Sequence, residues 1–303
     1  MIKLHKSTYQ LPNLEWLAKQ VVEGTLVGLH KSPFHGYSAE FMEHKIYVPG
    51  ESTKFVDWKL FGKTDKLYTK KFEDETNLRA HFILDNSSSM HYPVRKGFDI
   101  EHLNKIQFSV LGIAGLMEIL KKQRDALGLS IYSDTYEFYA KEKNNTKHHR
   151  LLLHKLESAL NENAQQKTTH TYQYLHEIAE NIHRRSLIVL FTDLWEVREN
   201  PKELFEALRH LKYNKHQVVL FHVYDYHTEY AFDFDNKATK FVDIEHQTQL
   251  NIYPEQIKEA YEKAVADYFQ QIKETCYKYQ IDYIPADIQR GFEQIIVPFL
   301  LAK

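Results

Sequence analysis

The strongest constraint on the fold of this chain is a short apolar run that closes on an aspartate and recurs along the sequence. Leu78–Leu84 leads into Asp85, Ser186–Thr192 into Asp193, and Gln217–Tyr224 into Asp225. Between the first two lies Ile106–Leu120, apolar on nearly all sides, as a helix packed on a sheet is. Ala126–Tyr132 reads as a further strand, Tyr136–Ala140 as an antiparallel edge beside it, and His149–Leu160 and Tyr172–Ile182 as helices. Pro201 suits the first turn of a helix running to about Leu211. A polar hairpin near 228–244 follows, then a long helix with Ile257, Tyr261, Ala264, Tyr268, Ile272 and Cys276 on one face, a strand Ile281–Ile284 and a helix Ile288–Leu301. Such alternation predicts an α/β fold, a doubly wound, mostly parallel sheet with helices on both faces. The working loops of such a sheet lie at the carboxyl ends of its strands, where all three aspartates sit.

Residues 1–77 read as a separate helix and β-rich module, and residues 78–303 as the α/β domain. In the module Asn13 is a helix N-cap, and Leu14, Leu17, Ala18, Val21 and Val22 recur at helical spacing until Gly24 and Gly28. Thr25–His30, Phe41–Val48, Lys54–Leu60 and Lys66–Phe72 read as strands, with turns at Pro49-Gly50 and Gly62-Lys63.

Composition narrows the function. The 39 Lys and Arg nearly cancel the 41 Asp and Glu, so no global field draws nucleic acid or an anionic membrane. The basic stretches Lys70-Lys71 and Lys141–Arg150 lack the aromatic interleaving of a nucleic-acid surface. Cys276 is the one cysteine, so there is no intrachain disulfide framework, and a reducing, cytoplasmic setting fits. The start lacks the apolar run of a signal peptide, and no stretch has the length of a membrane span. Phosphate-binding glycine loops and a G-x-S-x-G elbow are absent, which argues against a P-loop ATPase or a serine hydrolase.

The chemistry points to Asp85-Asn86-Ser87-Ser88-Ser89. A hard cation such as Mg²⁺ takes oxygen ligands in octahedral geometry and keeps some water. One carboxylate and two hydroxyls at alternate positions after a strand can converge on such an ion. Because the hydroxyls are neutral, the ion stays electrophilic and accepts a further carboxylate from a partner. A second loop must complete the shell. Thr169, with Thr168 and Thr171 as rivals, and Asp193 stand where such loops belong. Asp57-Trp58-Lys59 reads as packing of the small module, and Trp195 as a rim residue of the site.

Phe82–Met90 resembles the first metal-binding motif of von Willebrand A domains, Asp125–Tyr132 their second strand, and Leu187–Asp193 their fourth. That resemblance implies a von Willebrand A-type fold in which Asp85, Ser87, Ser89, Thr169 and Asp193 hold Mg²⁺, or Mn²⁺ or Ca²⁺ in its place. Tyr47–Glu51, Phe55–Lys59 and Lys66–Tyr68, with Asp225 and Glu229, further resemble the bacterial family called domain of unknown function 58. Phe61-Gly62-Lys63 stands where that family commonly has Ala-Arg, and Lys167-Thr168 where it has a small-residue turn. The family resemblance implies a non-enzymatic adaptor or chaperone-like partner of a MoxR-type AAA+ ATPase. The alternatives are a metal-dependent phosphoesterase, with Asp225 or His170 as a base, and a purely structural scaffold.

Overall fold

A computed structural model describes residues 13–30, 44–46, 61, 62, 64, 67–70, 78–95, 97–161, 171–195, 201–244 and 248–302. It divides into a larger unit, up to Leu26 and from Leu78 onward, and a smaller one, Val27–Asn77. In the smaller unit β1 (His44–Ile46) pairs antiparallel with β2 (Tyr68–Lys70). Both lie within predicted strands. The strand expected at 54–60 and Asp57-Trp58-Lys59 fall outside the described residues.

Helix α1 (Leu14–His30) departs from expectation. Asn13 does cap it, its side chain accepting from Glu15 N at 2.9 Å and Trp16 N at 3.3 Å. The helix then runs through Gly24 and across 25–30, where a strand was predicted, and through Leu26 it belongs to the larger unit. A helical glycine costs about 1 kcal/mol. Burial of Leu14, Leu17, Ala18, Val21 and Val22 outweighs that.

The larger unit is built on β3 (Arg79–Asp85), β4 (Ala126–Tyr132), β5 (Tyr136–Lys143), β6 (Leu187–Thr192), β7 (Gln217–Tyr224) and β10 (Asp282–Asp287). Their order across the sheet is β10-β7-β6-β3-β4-β5, parallel throughout except for β5 at one edge. This is the doubly wound, mostly parallel α/β architecture that the alternation of strands and helices predicts. The chain winds outward from β3 to β5, then crosses to β6 and winds the other way, so the order reverses between β3 and β6.

Alternate residues serve opposite faces. Ala80, Phe82 and Leu84 of β3, with Val189 and Phe191 of β6, join one core with α2 (Lys105–Lys122), α3 (Thr146–Asn161), α7 (Glu293–Ala302) and the start of α1. Ile83, Ile188 and Leu190 join a second core with α4 (Thr171–Asn181), α5 (Pro201–Tyr213) and α6 (Pro254–Lys278). Among the described residues, no helix is long and apolar enough to cross a membrane.

The hairpin after β7 is displaced from its predicted place. Residues 226–230 form a wide helical turn, and the hairpin is β8 (Thr239–Val242) with β9 (Gln249–Ile252). Local side-chain bonds decide this. Asp225 accepts from His227 N and Thr228 Oγ1, and Glu229 reaches back to Asp225 N at 2.8 Å. At the chain's end β10 stays paired with β7 through Asp287, so α7 starts at Glu293 rather than Ile288.

One polar cluster is sealed into the sheet. His81 is fully buried, with Nδ1 2.6 Å from Glu142 Oε1 and Nε2 2.7 Å from Ser130 Oγ. A Cβ on Gly128 would lie 2.5 Å from His81 Nδ1 and 2.9 Å from Ala140 O, so only glycine leaves room for the ring. Burial disfavours the Glu142 charge, but the hydrogen bond and charge of His81 prevail and hold the carboxyl below its ordinary 4.5. A depressed carboxylate contributes stability above the unfolded value and loses it as pH falls through the folded one. Glu142→Gln should therefore cost about 1–3 kcal/mol at pH 7. That gap between variant and wild type should narrow as urea titrations are taken below pH 4.5, where Glu142 becomes protonated in the folded protein.

Candidate metal centre

Asp85 ends β3 and Asp193 follows β6, so the order reversal sets the two aspartates at neighbouring strand ends. The loop after β3 is pinned by burial of Ser88 and Met90 and by the bond from Met90 N to Ser87 O at 3.1 Å. Asp85 is wholly buried. Its Oδ1 accepts from Ser87 N at 3.0 Å and its Oδ2 from Thr192 Oγ1 at 2.7 Å. Ser87 Oγ and Ser89 Oγ stand 3.0 Å apart, and the Ser89 hydroxyl helps favour the charged form of the Asp193 carboxyl. Asp193 Oδ1 accepts from the N–H of half-buried Trp195 at 3.2 Å. Between them Leu194 takes the left-handed region at φ 55°, a conformation costing about 1–2 kcal/mol that turns the chain sharply after Asp193.

The structure thus brings together Asp85, Ser87, Ser89 and Asp193. Thr168, Thr169 and His170 lie outside the described residues, and Thr171 heads α4. Asp225 is spent on its own turn and does not join the group. Asn86 turns away toward Glu137, its Nδ2 at 2.8 Å from Oε2.

Two participants were absent from the sequence-based site. Thr192 is one. The other is Lys105, whose side chain is 1% exposed and whose Nζ lies 2.8 Å from Asp193 Oδ2 and 2.5 Å from Glu229 Oε1. A reciprocal cap fixes where α2 begins: Asn104 Oδ1 accepts from Gln107 N, and Gln107 Oε1 from Asn104 N. Lys105 is then the first helical residue, at the mouth of the site. The available signal was a lysine at the head of a helix that is apolar on nearly all sides through its middle.

These groups perturb one another. Burial first, and then the Asp193 charge, push the Asp85 carboxyl up to about 8 against its bonds from Thr192 and Ser87. Burial also works against Asp193, but the charge and hydrogen bond of Lys105 hold it below the carboxylate range. Glu229 stays above that range through burial, despite the same lysine. Lys105 is held above its ordinary value because the two carboxylates outweigh its own desolvation.

Whether the residues suit a divalent ion is decided by their spacing. Adjacent ligands of an octahedral Mg²⁺ at roughly 2.1 Å lie about 3 Å apart, which is the Ser87–Ser89 separation. A buried carboxylate that near neutrality holds a proton is one whose charge a cation would stabilise. The donor set fits. A cavity of about 340 Å³ adjoins it, touching Ser89 and Glu229 and walled by the rings of Tyr92, Trp195, Phe232, Phe241 and Tyr261. Thr192→Val should cost about 2 kcal/mol in urea denaturation, because both Asp85 Oδ2 and Leu194 N lose their partner.

The model of the family described as "Protein of unknown function DUF58" matches residues 43–271. Uncharacterized protein Mb1516 of Mycobacterium bovis and Uncharacterized protein Rv1480 of Mycobacterium tuberculosis are each 27% identical over 82 residues, 27% of this chain and 26% of theirs. The chain therefore spans about a quarter of the length of the curated relatives it matches. Among solved structures, an aerotolerance-related membrane protein from Bacteroides fragilis superposes with a TM-score of 0.48 at 13% identity, over 74% of this chain and 98% of that one. The conserved hypothetical protein BatB from Bacteroides thetaiotaomicron gives 0.43 at 13%, over 74% and 99%. The SpRpn10 VWA domain gives 0.33 at 12%, over 48% and 75%.

Proposed function

The chain belongs to the DUF58 family, and from that premise we propose that it is a non-enzymatic, metal-dependent protein-binding module. Asp85, Ser87, Ser89 and Asp193, with Thr169, hold Mg²⁺, and a carboxylate from a protein partner takes the ion's open position. One observation carries this: two serine hydroxyls 3.0 Å apart sit between two buried aspartates at the strand-order reversal. The ligands are rich in neutral oxygens, which leaves the ion electrophilic toward an acidic partner. The family resemblance supports a MoxR-type AAA+ ATPase, or its client, as that partner, with the chain acting as a cytoplasmic adaptor.

A phosphoesterase would need a general base beside a metal-bound water. Asp225 is poorly placed for that role, since its carboxylate accepts from His227 N and Thr228 Oγ1.

Calorimetry should detect Mg²⁺ binding to the wild type and none to Asp85→Ala, whose circular dichroism should be unchanged. Mg²⁺ at about a hundred times its Kd should stabilise the wild type by about 2.7 kcal/mol and leave the variant unmoved. Affinity capture from the native host should recover the ATPase without chelator and lose it with chelator. Equal Mg²⁺ affinity in both proteins would remove the site assignment.

A further inference from the structure

We propose that Lys105 is the resident counter-cation of this site: a divalent ion must take Asp193 away from it, so the lysine sets the affinity and passes occupancy on to Glu229. This rests on the metal-binding reading above. Its own support is geometric. The stem of Lys105 is anchored by its backbone N–H, which donates to Tyr92 O at 3.0 Å. Its ammonium then spans two loops, with Asp193 Oδ2 at 2.8 Å on one side and Glu229 Oε1 at 2.5 Å on the other. The pair is sealed, with Lys105 and Asp193 side chains 1% and 4% exposed.

An ammonium is a compact point charge with three donors on a flexible stem, and it keeps a bond to one carboxylate when another is withdrawn. An ion held by Ser87 and Ser89 has Asp193 within reach, because β3 and β6 are paired neighbours whose ends carry Asp85 and Asp193, and the Ser89 hydroxyl favours the charge on Asp193. Two cations on one buried carboxylate repel strongly. As the ion takes Asp193, Lys105 is left to Glu229 alone.

Glu229 is well placed to report this exchange. Its second carboxylate oxygen accepts from Asp225 N at 2.8 Å, and its carbonyl accepts from Tyr261 OH at 3.0 Å. It also lines the aromatic cavity beside the site, as does Tyr261. A change in how tightly Lys105 holds Glu229 therefore reaches the turn Tyr226–Tyr230 and the cavity wall. Occupancy of the metal loop is coupled to the shape of the adjoining surface.

Mg²⁺ alone, titrated calorimetrically into the full chain, is the probe. Lys105→Met removes the competitor and should tighten Mg²⁺ binding by about tenfold or more. Lys105→Arg keeps the charge and should keep the wild-type affinity. Glu229→Gln leaves the ammonium to Asp193 alone and should weaken binding by about tenfold. Hydrogen exchange gives a readout that a merely structural ion pair would not move. Mg²⁺ should change protection across 226–234 in the wild type and leave it unchanged in Lys105→Met. Binding to the wild type that Lys105→Met fails to tighten overturns the role of the lysine while leaving the metal site standing. If Lys105→Met does not fold, unchanged or tighter binding by Glu229→Gln overturns it equally. Mg²⁺ binding to none of these proteins overturns the metal reading, and this inference with it.

Discussion

Two buried carboxylates at neighbouring strand ends repel each other, and the candidate site is organised around that repulsion. Asp85 and Asp193 are almost wholly out of water, in surroundings where like charges interact strongly. The protein answers with unequal environments. Asp193 receives an ammonium, while Asp85 receives only neutral donors from Thr192 and Ser87. One group is held charged and the other is driven to keep a proton. A site in that condition is poised for a further positive charge.

The scaffold supplies the rigidity this needs. Every strand of the parallel core is packed on both faces, so the ends of β3 and β6 have little freedom to separate. The loop after β3 buries its own Met90, and α2 begins at a fixed residue because Asn104 and Gln107 cap it reciprocally. These local devices place Lys105 opposite Asp193. The cavity next to Ser89 is walled by Tyr92 and Trp195 from the site's own loops and by side chains from the turn after β7, the β8–β9 hairpin and α6. Cavity and site thus share the loops after β3 and β6, and Glu229 belongs to both.

Periodicity made the sheet legible. Ala126–Tyr132 and Gln217–Tyr224 were bounded as the structure has them, because a central strand buried on both faces leaves an apolar run with abrupt ends. Periodicity was less informative where glycine and tertiary burial disagreed. Gly24 marked a helix end by propensity, but α1 buries a full stripe of side chains and continues past it. The turn after β7 lies elsewhere than the hydrophobic pattern suggests because its course depends on Glu229 accepting from Asp225 N and Asp225 accepting from His227 N, bonds no hydrophobic pattern records.

The sequence by itself determined the strand-ending aspartates, the alternate serines after Asp85 and the alternation of elements that makes a doubly wound sheet. Each is a local pattern, carried by residues a few positions apart. Only the tertiary structure decided which distant groups share the site. Lys105, Asp193 and Glu229 are separated by most of a domain in sequence, and their meeting depends on strand order, helix start and turn geometry together. A lysine heading an apolar helix looks like an ordinary solvated end until the fold buries it between two carboxylates.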